Sequence, residues 1–226
     1  MSSAISHRHP KPVGRFPILD VQPTVDGGRW QAKAYAGELI PFSAVGFREG
    51  HDALGVELLL TSPSGKTSVI RMNAGAPGSD RWHTATVLAE TGRWTFQIRA
   101  FGDEYETWHH NTEVKLAANV DEDLMMLEGI ALFTKAAAEK DRTKANAAAL
   151  AAAAETLGDK KATPKARFES VQSASLIKAI SAHPIRSLET LSEQYEINCE
   201  RTLAGAAAWY EFFPRSEGAK YNSKTK

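Results

Sequence analysis

Gly92-Arg93-Trp94-Thr95-Phe96-Gln97-Ile98-Arg99-Ala100 alternates apolar and polar side chains without interruption. A β-strand sends successive side chains to opposite faces, so Trp94, Phe96, Ile98 and Ala100 share a buried face while Arg93, Thr95, Gln97 and Arg99 share a wetted one. Working outward, Val56, Leu58 and Leu60 repeat the period of two, Ser62-Pro63-Ser64-Gly65 supplies a turn, and Thr67, Val69 and Arg71 resume the alternation as the second arm of a hairpin. The Gly- and Pro-containing stretch Asn73 to Asp80 predicts a loop, Arg81 to Val87 a strand and Thr91-Gly92 a turn. Asp103 to Glu106 is expected as an acidic loop, and Thr112 to Leu116 as a last strand. About seven strands between Phe16 and Val120 match an antiparallel immunoglobulin-like β-sandwich.

Near Val120 the apolar period changes from 2 to 3.6. Asp121, Glu122 and Asp123 suit a helix N-terminus, and Leu124, Leu127, Ala131 and Leu132 form the expected stripe. The alanine run Ala145 to Ala154 has high helix propensity and little bulk, so it either packs closely or frays. Gly158 and Pro164 bracket a break. Phe168, Val171, Ser175, Leu176, Ala179 and Ile180 predict another helix ending before Pro184. The last is expected from about Leu188 through Leu191, Tyr195, Cys199, Leu203, Ala206 and Tyr210, which completes a small bundle. The expected class is therefore α+β: a disordered leader over 1–13, a sandwich over 14–119, a helical bundle over 120–213 and a polar tail over 214–226.

The 226 residues carry 27 Lys and Arg against 27 Asp and Glu, a net charge of zero. This argues against nucleic acid, which is bound through clustered cations, and favours self-association over mutual repulsion. No apolar run approaches the roughly 20 residues that span a bilayer. The one cysteine, Cys199, allows no internal disulfide and is expected as a small buried hydrophobe on a helix. A cytoplasmic protein is the expectation.

The candidates for chemistry are weak singly. His109 and His110 fall on the expected strand and diverge to opposite faces, so no metal site is expected there. Asp103, Glu104 and Glu106 read as a solvated acidic loop. His51-Asp52 reads as a turn with room for a His–Asp hydrogen bond. Ser62 and Ser64 lack a nucleophile elbow, and no Gly-rich phosphate loop occurs. Trp30, Trp82, Trp94 and Trp108 all fall in the β half; alternation assigns Trp94 to the core, and Trp82 and Trp108 are the candidates for stacking on sugars. Trp209-Tyr210-Glu211-Phe212-Phe213-Pro214-Arg215-Ser216 is the densest aromatic cluster and requires something to pack on.

That string, continued by Glu217-Gly218, resembles the N-terminal region of the bacterial α-1,4-glucan:maltose-1-phosphate maltosyltransferases. Phe47-Arg48-Glu49-Gly50-His51-Asp52, Asp80-Arg81-Trp82, Arg15-Phe16-Pro17-Ile18-Leu19-Asp20-Val21 and Gly92-Arg93-Trp94-Thr95-Phe96 fit it too, so the likeness spreads over roughly residues 14 to 218. The resemblance implies a β-sandwich and a helical bundle, both involved in dimerisation, preceding a catalytic (β/α)8 barrel of glycoside hydrolase family 13 type. It also implies transfer of maltosyl from α-maltose 1-phosphate to an α-1,4-glucan with retention, which needs a nucleophilic and an acid–base carboxyl group about 5 Å apart. In the family both sit on barrel loops.

Fewer than half of these residues follow the sandwich, and a (β/α)8 barrel needs about 250. The expectation is thus a piece without the barrel or its carboxylates, inactive by itself, with no catalytic residue, metal or cofactor of its own. Phe47, Arg48, Glu49, His51, Asp52, Trp209, Tyr210, Glu211, Phe212, Phe213 and Arg215 are expected to serve packing or an interface in a homodimer. Two rivals stand beside this: a sandwich that binds glucan through Trp82 or Trp108, and an interaction scaffold independent of sugars.

Overall fold

The computed structural model describes residues 14–206, 208–213, 215, 217, 218 and 220–224. The expected leader over 1–13, and Pro214 and Ser216 of the aromatic string, lie outside them. Two sheets face each other. One has the order β1-β3-β7-β6, formed by β1 (Ile18–Gln22), β3 (Leu39–Gly46), β7 (Arg81–Val87) and β6 (Asn73–Ala74). The other has the order β2-β10-β8-β4-β5, with β2 (Ala32–Tyr35), β10 (Tyr195–Glu200), β8 (Gly92–Asp103), β4 (Leu54–Thr61) and β5 (Thr67–Arg71), and β9 (Arg186–Leu191) also pairs with β8. All pairings are antiparallel except β2 with β10.

The alternation on β8 emerges as read. Trp94, Phe96, Ile98 and Ala100 are buried with Val56, Leu58 and Leu60 of β4 and with Ile40, Phe42 and Ala44 of β3. Phe42 meets Phe96 edge to face across the sheets, ring centroids 5.1 Å apart, the geometry the aromatic quadrupole favours. The β4–β5 hairpin pairs Thr61 with Thr67 around the expected turn.

Five helices fill the interval between β8 and β9: α1 (Glu104–Ala118), α2 (Glu122–Ala137), α3 (Lys144–Leu157), α4 (Pro164–Ser170) and α5 (Ala174–Ser181). Here several expectations are corrected. Asp103 to Glu106 is no acidic loop, and Thr112 to Leu116 no strand. Asp103 caps α1 by accepting from the Glu106 amide at 3.1 Å, and Glu104 and Glu106 complement the positive end of the helix dipole. Propensity alone does not favour a helix over Thr107-Trp108-His109-His110-Asn111-Thr112; burial of Tyr105, Trp108 and Thr112 on one side of it decides.

The expected stripe on α2 is displaced by part of a turn. Leu132 is buried, but Leu124 and Leu127 face solvent, and Met125, Met126, Gly129, Phe133 and Ala136 form the inner face. The alanine run packs closely: Leu150, Ala153, Ala154 and Leu157 of α3 are buried in the same cluster. A Cβ on Gly129 would come within 2.5 Å of Trp108 and 2.9 Å of Leu157, so the glycine is what lets α2 settle against both. Phe168 to Ile180 is split into α4 and α5, each capped afresh, by Thr163 and by Ser173. Buried Arg142 and Arg167 donate to carbonyls at helix ends, Arg142 to Ala179 at 2.7 Å and Arg167 to Leu157 at 2.9 Å, which satisfies acceptors that a helix C-terminus leaves open.

The expected final helix from Leu188 is two strands. Leu191, Tyr195, Cys199 and Leu203 recur every four residues, which approximates one helical turn but also equals two strand repeats. Pairing decides between them: Tyr195↔Phe96, Ile197↔Trp94 and Cys199↔Gly92 place Ile197 and Cys199 inside the sandwich. Cys199 is buried as expected, on a strand rather than a helix, and burial raises its thiol pKa.

Candidate functional site

Gly46, at the end of β3, links two of the motifs read from the sequence. Its amide donates to the Asp80 carbonyl at 2.9 Å and its carbonyl accepts from the Trp82 indole at 3.0 Å. Phe47 and Arg48 thereby lie beside Asp80, Arg81 and Trp82 around a shallow hollow. Trp82 is half-buried and packs against the sandwich core, with its N–H already committed. Arg81 in turn holds Asp20 of β1, whose carboxyl is kept below the usual carboxylate range by the guanidinium and by Gln22.

Arg48 faces a cleft of 420 Å³ between the sheet and the helices, shared with Asp52, Gly102, Glu104, Thr107 and Lys135 among others. Arg48 Nη2 donates to Asp52 Oδ2 at 2.7 Å, and the guanidinium sits 5.5 Å over the Phe16 ring. Asp52 therefore pairs with Arg48 rather than with His51. Glu104 accepts both of its bonds from Lys135, at 2.8 and 2.9 Å, and Asp103 pairs with Arg71 at 2.7 Å. Three carboxylates of this region are thus neutralised by cations.

Trp108 is corrected outright as a sugar platform. It lies on α1, is 4% exposed, donates to the Met125 carbonyl at 2.8 Å, and stacks edge to face with Phe133 and Phe168. His109 and His110 lie on the same helix, not a strand; His109 Nε2 meets Gln172 Oε1 at 2.8 Å. Trp209, at 95% exposed, and Tyr210, Phe212 and Phe213 are outside both cores; Trp209 borders a separate cleft with Lys33, Tyr35, Glu38 and Arg201. Glu49, His51, Glu211 and Arg215 are also exposed.

Sequence reasoning missed the strongest electrostatic feature. Glu57 on β4, 2% exposed, accepts from Arg99 Nε and Nη2 at 3.0 and 2.6 Å and from Arg186 Nε and Nη2 at 3.1 and 2.9 Å. Arg71 and Arg186 also lie over the Phe101 ring, at 5.1 and 5.2 Å. The in-register pair Glu57↔Arg99 was implicit in two adjacent alternating strands, but Arg186 arrives from the far side of the helical insertion. A carboxylate holding four N–H donors is a structural tie, not a nucleophile.

Residues 14–201 match the family model for α-1,4-glucan:maltose-1-phosphate maltosyltransferase, domain N/S. Maltosyltransferase 1 of Streptomyces coelicolor is 40% identical over 97% of the chain and 33% of its own length; maltosyltransferase 2 of the same organism is 38% identical over 92% and 31%. The maltosyltransferase of Mycobacterium tuberculosis is 33% identical over 91% of the chain and 32% of its own length. The chain therefore spans about a third of the length of the curated relatives it matches. By the extent of this match it belongs to the α-1,4-glucan:maltose-1-phosphate maltosyltransferase family, as its N/S domain.

Proposed function

We propose that this chain is the non-catalytic N-terminal part of a cytoplasmic maltosyltransferase that moves maltosyl from α-maltose 1-phosphate to α-1,4-glucan, and that it serves homodimer assembly and the shaping of the active-site approach. The observation that carries the reading is the family match over residues 14–201 on a fold that, among the described residues, has no (β/α)8 barrel. The carboxylates Asp52, Glu57, Asp103 and Glu104, each paired with a cation, support it. The exposed apolar face of α2, Leu124 at 47% and Leu127 at 62%, supports the dimer. The aromatic residues Trp209, Tyr210, Phe212 and Phe213, exposed after the last strand, suit contact with the catalytic part of the enzyme. Incubating the chain with α-maltose 1-phosphate and a maltooligosaccharide is expected to release no phosphate; sustained release overturns the reading.

A further inference from the structure

We propose that the cavity between α1 and α5 binds a small primary ammonium ion, held by the Glu106 carboxylate and the hydroxyls of Tyr105 and Ser181. The inference goes beyond the scaffold reading and does not rest on it. The cavity, of 210 Å³, lies at the neck where the chain leaves the sandwich at Asp103 and comes back after Pro184, and both residues line it. There the Glu104 amide donates to the Ile185 carbonyl at 3.3 Å, so the outgoing and returning segments touch.

Tyr105 is the built part of the site. It is 6% exposed, and Trp108, His109 and Phe133 surround its ring at centroid distances of 6.1, 5.8 and 6.2 Å. Yet it lines the cavity, and among the described residues its hydroxyl makes no hydrogen bond. Polar groups on buried side chains are nearly always satisfied, so an unmet one calls for a partner. A ring clamped on three sides holds that hydroxyl in place before any ligand arrives, which lowers the ordering cost of binding. The Ser181 hydroxyl and the Glu106 carboxylate, also at the cavity, are likewise without hydrogen bond or ion pair among the described residues.

The charges select the ligand. Arg71 is the cation that lines the cavity, and it is spent on Asp103 Oδ2 at 2.7 Å; the other oxygen of Asp103 is taken by the Glu106 amide at 3.1 Å. The Glu106 carboxylate is left in excess. Burial is the larger cause of the raised Tyr105 pKa, but Glu106, Asp103 and Glu113 all add to it, so the potential at its oxygen favours a cation. A primary ammonium carries three N–H donors and no acceptor, which matches three unmet oxygens, one of them a carboxylate's. Ile180, fully buried, and Pro184 give a short alkyl chain an apolar wall. An anion would meet the excess negative charge, and a quaternary ammonium would bring no N–H. Seated there, the ion ties the first helix of the insertion to the last.

The test titrates n-butylammonium chloride, at constant ionic strength, into the ¹⁵N-labelled chain and follows the amides of Tyr105, Glu106 and Ser181. Saturable shifts confined to the cavity are expected, with affinity falling about tenfold or more in Tyr105→Phe and in Glu106→Gln. Tetramethylammonium is expected to give none. Tyr105→Phe keeps the ring and its packing, and an unliganded spectrum unchanged away from the cavity shows that the variant is folded. Nα-acetyl-lysine N-methylamide, titrated alongside, separates the sources of the amine: stronger binding of it assigns the site to a lysine side chain of a partner, stronger binding of n-butylammonium to a free amine. Unmoved resonances with both amines, equal affinity in Tyr105→Phe, or equal shifts with tetramethylammonium overturn the proposal. The phosphate-release experiment judges the scaffold reading separately.

Discussion

Glu57 and Arg186 are 129 residues apart in sequence and meet through two hydrogen bonds, at 2.9 and 3.1 Å. The chain leaves the sandwich at Asp103, builds five helices and returns on β9; this pair ties the return strand to the sheet that precedes the excursion. Arg99 shares the same carboxylate, so removing Glu57 leaves Arg186 without it and Arg99 with Glu189 alone at 3.4 Å, both guanidinium groups being four-fifths or more buried.

Glu57→Ala is therefore expected to cost about 3 kcal/mol or more, as removal of one partner from a buried ionic cluster does. Urea unfolding followed by circular dichroism measures it. A loss below about 1 kcal/mol means that the cluster does not hold the return strand in place.

Gly129→Ala sets two effects against each other. Alanine in a helix interior gains about 1 kcal/mol over glycine, but the new methyl meets Trp108 at 2.5 Å, and overpacking a filled core costs roughly 1–3 kcal/mol. Trp108 is fixed by its bond to Met125 and by Phe133 and Phe168, so the clash should win. Net destabilisation is the expected result, and a rise in melting temperature contradicts the close packing of α1 on α2.

Tyr105 supplies a pH-dependent signature. Burial, with Glu106, Asp103 and Glu113 as lesser causes, pushes its hydroxyl up to about 12 from 10. A raised folded-state pKa contributes stability that is complete below pH 10 and is lost as pH climbs from 10 toward 12. The two-unit difference corresponds to roughly 2.7 kcal/mol. Tyr105→Phe should match the parent near neutrality and outlast it at pH 11; parallel alkaline melting curves for the two proteins rule this out.

Leu127→Glu probes the proposed dimer. Leu127 is 62% exposed, so the fold should shift by no more than about 0.5 kcal/mol, while a buried charge at an apolar interface abolishes association. Sedimentation at several concentrations should show a dimeric parent and a monomeric variant. Identical behaviour of the two assigns the interface elsewhere.

The hairpin from Val56 to Arg71 was legible because its two arms pair across a short turn, and β8 up to Ala100 because its alternation of apolar and polar residues is uninterrupted. The candidate residues fared unevenly for the same reason. Trp94 was readable as core, whereas Trp108 required knowing that α1 is a helix covered by α2 and α4.

Alternation of side chains by itself determined that strands with one buried face form. What tertiary structure alone decided is the fate of residues spaced by four, such as Leu191, Tyr195 and Cys199, and of the polar-aromatic run from Glu104. A spacing of four residues suits a helix and a strand alike, so the choice passed to partners far upstream: β8, about a hundred residues away, which pairs with one edge of β10, and β2, farther still, which pairs with the other. The helix from Glu104 formed because Asp103 caps it, a local contact, and because Trp108 finds a pocket on α2, one that no local window contains.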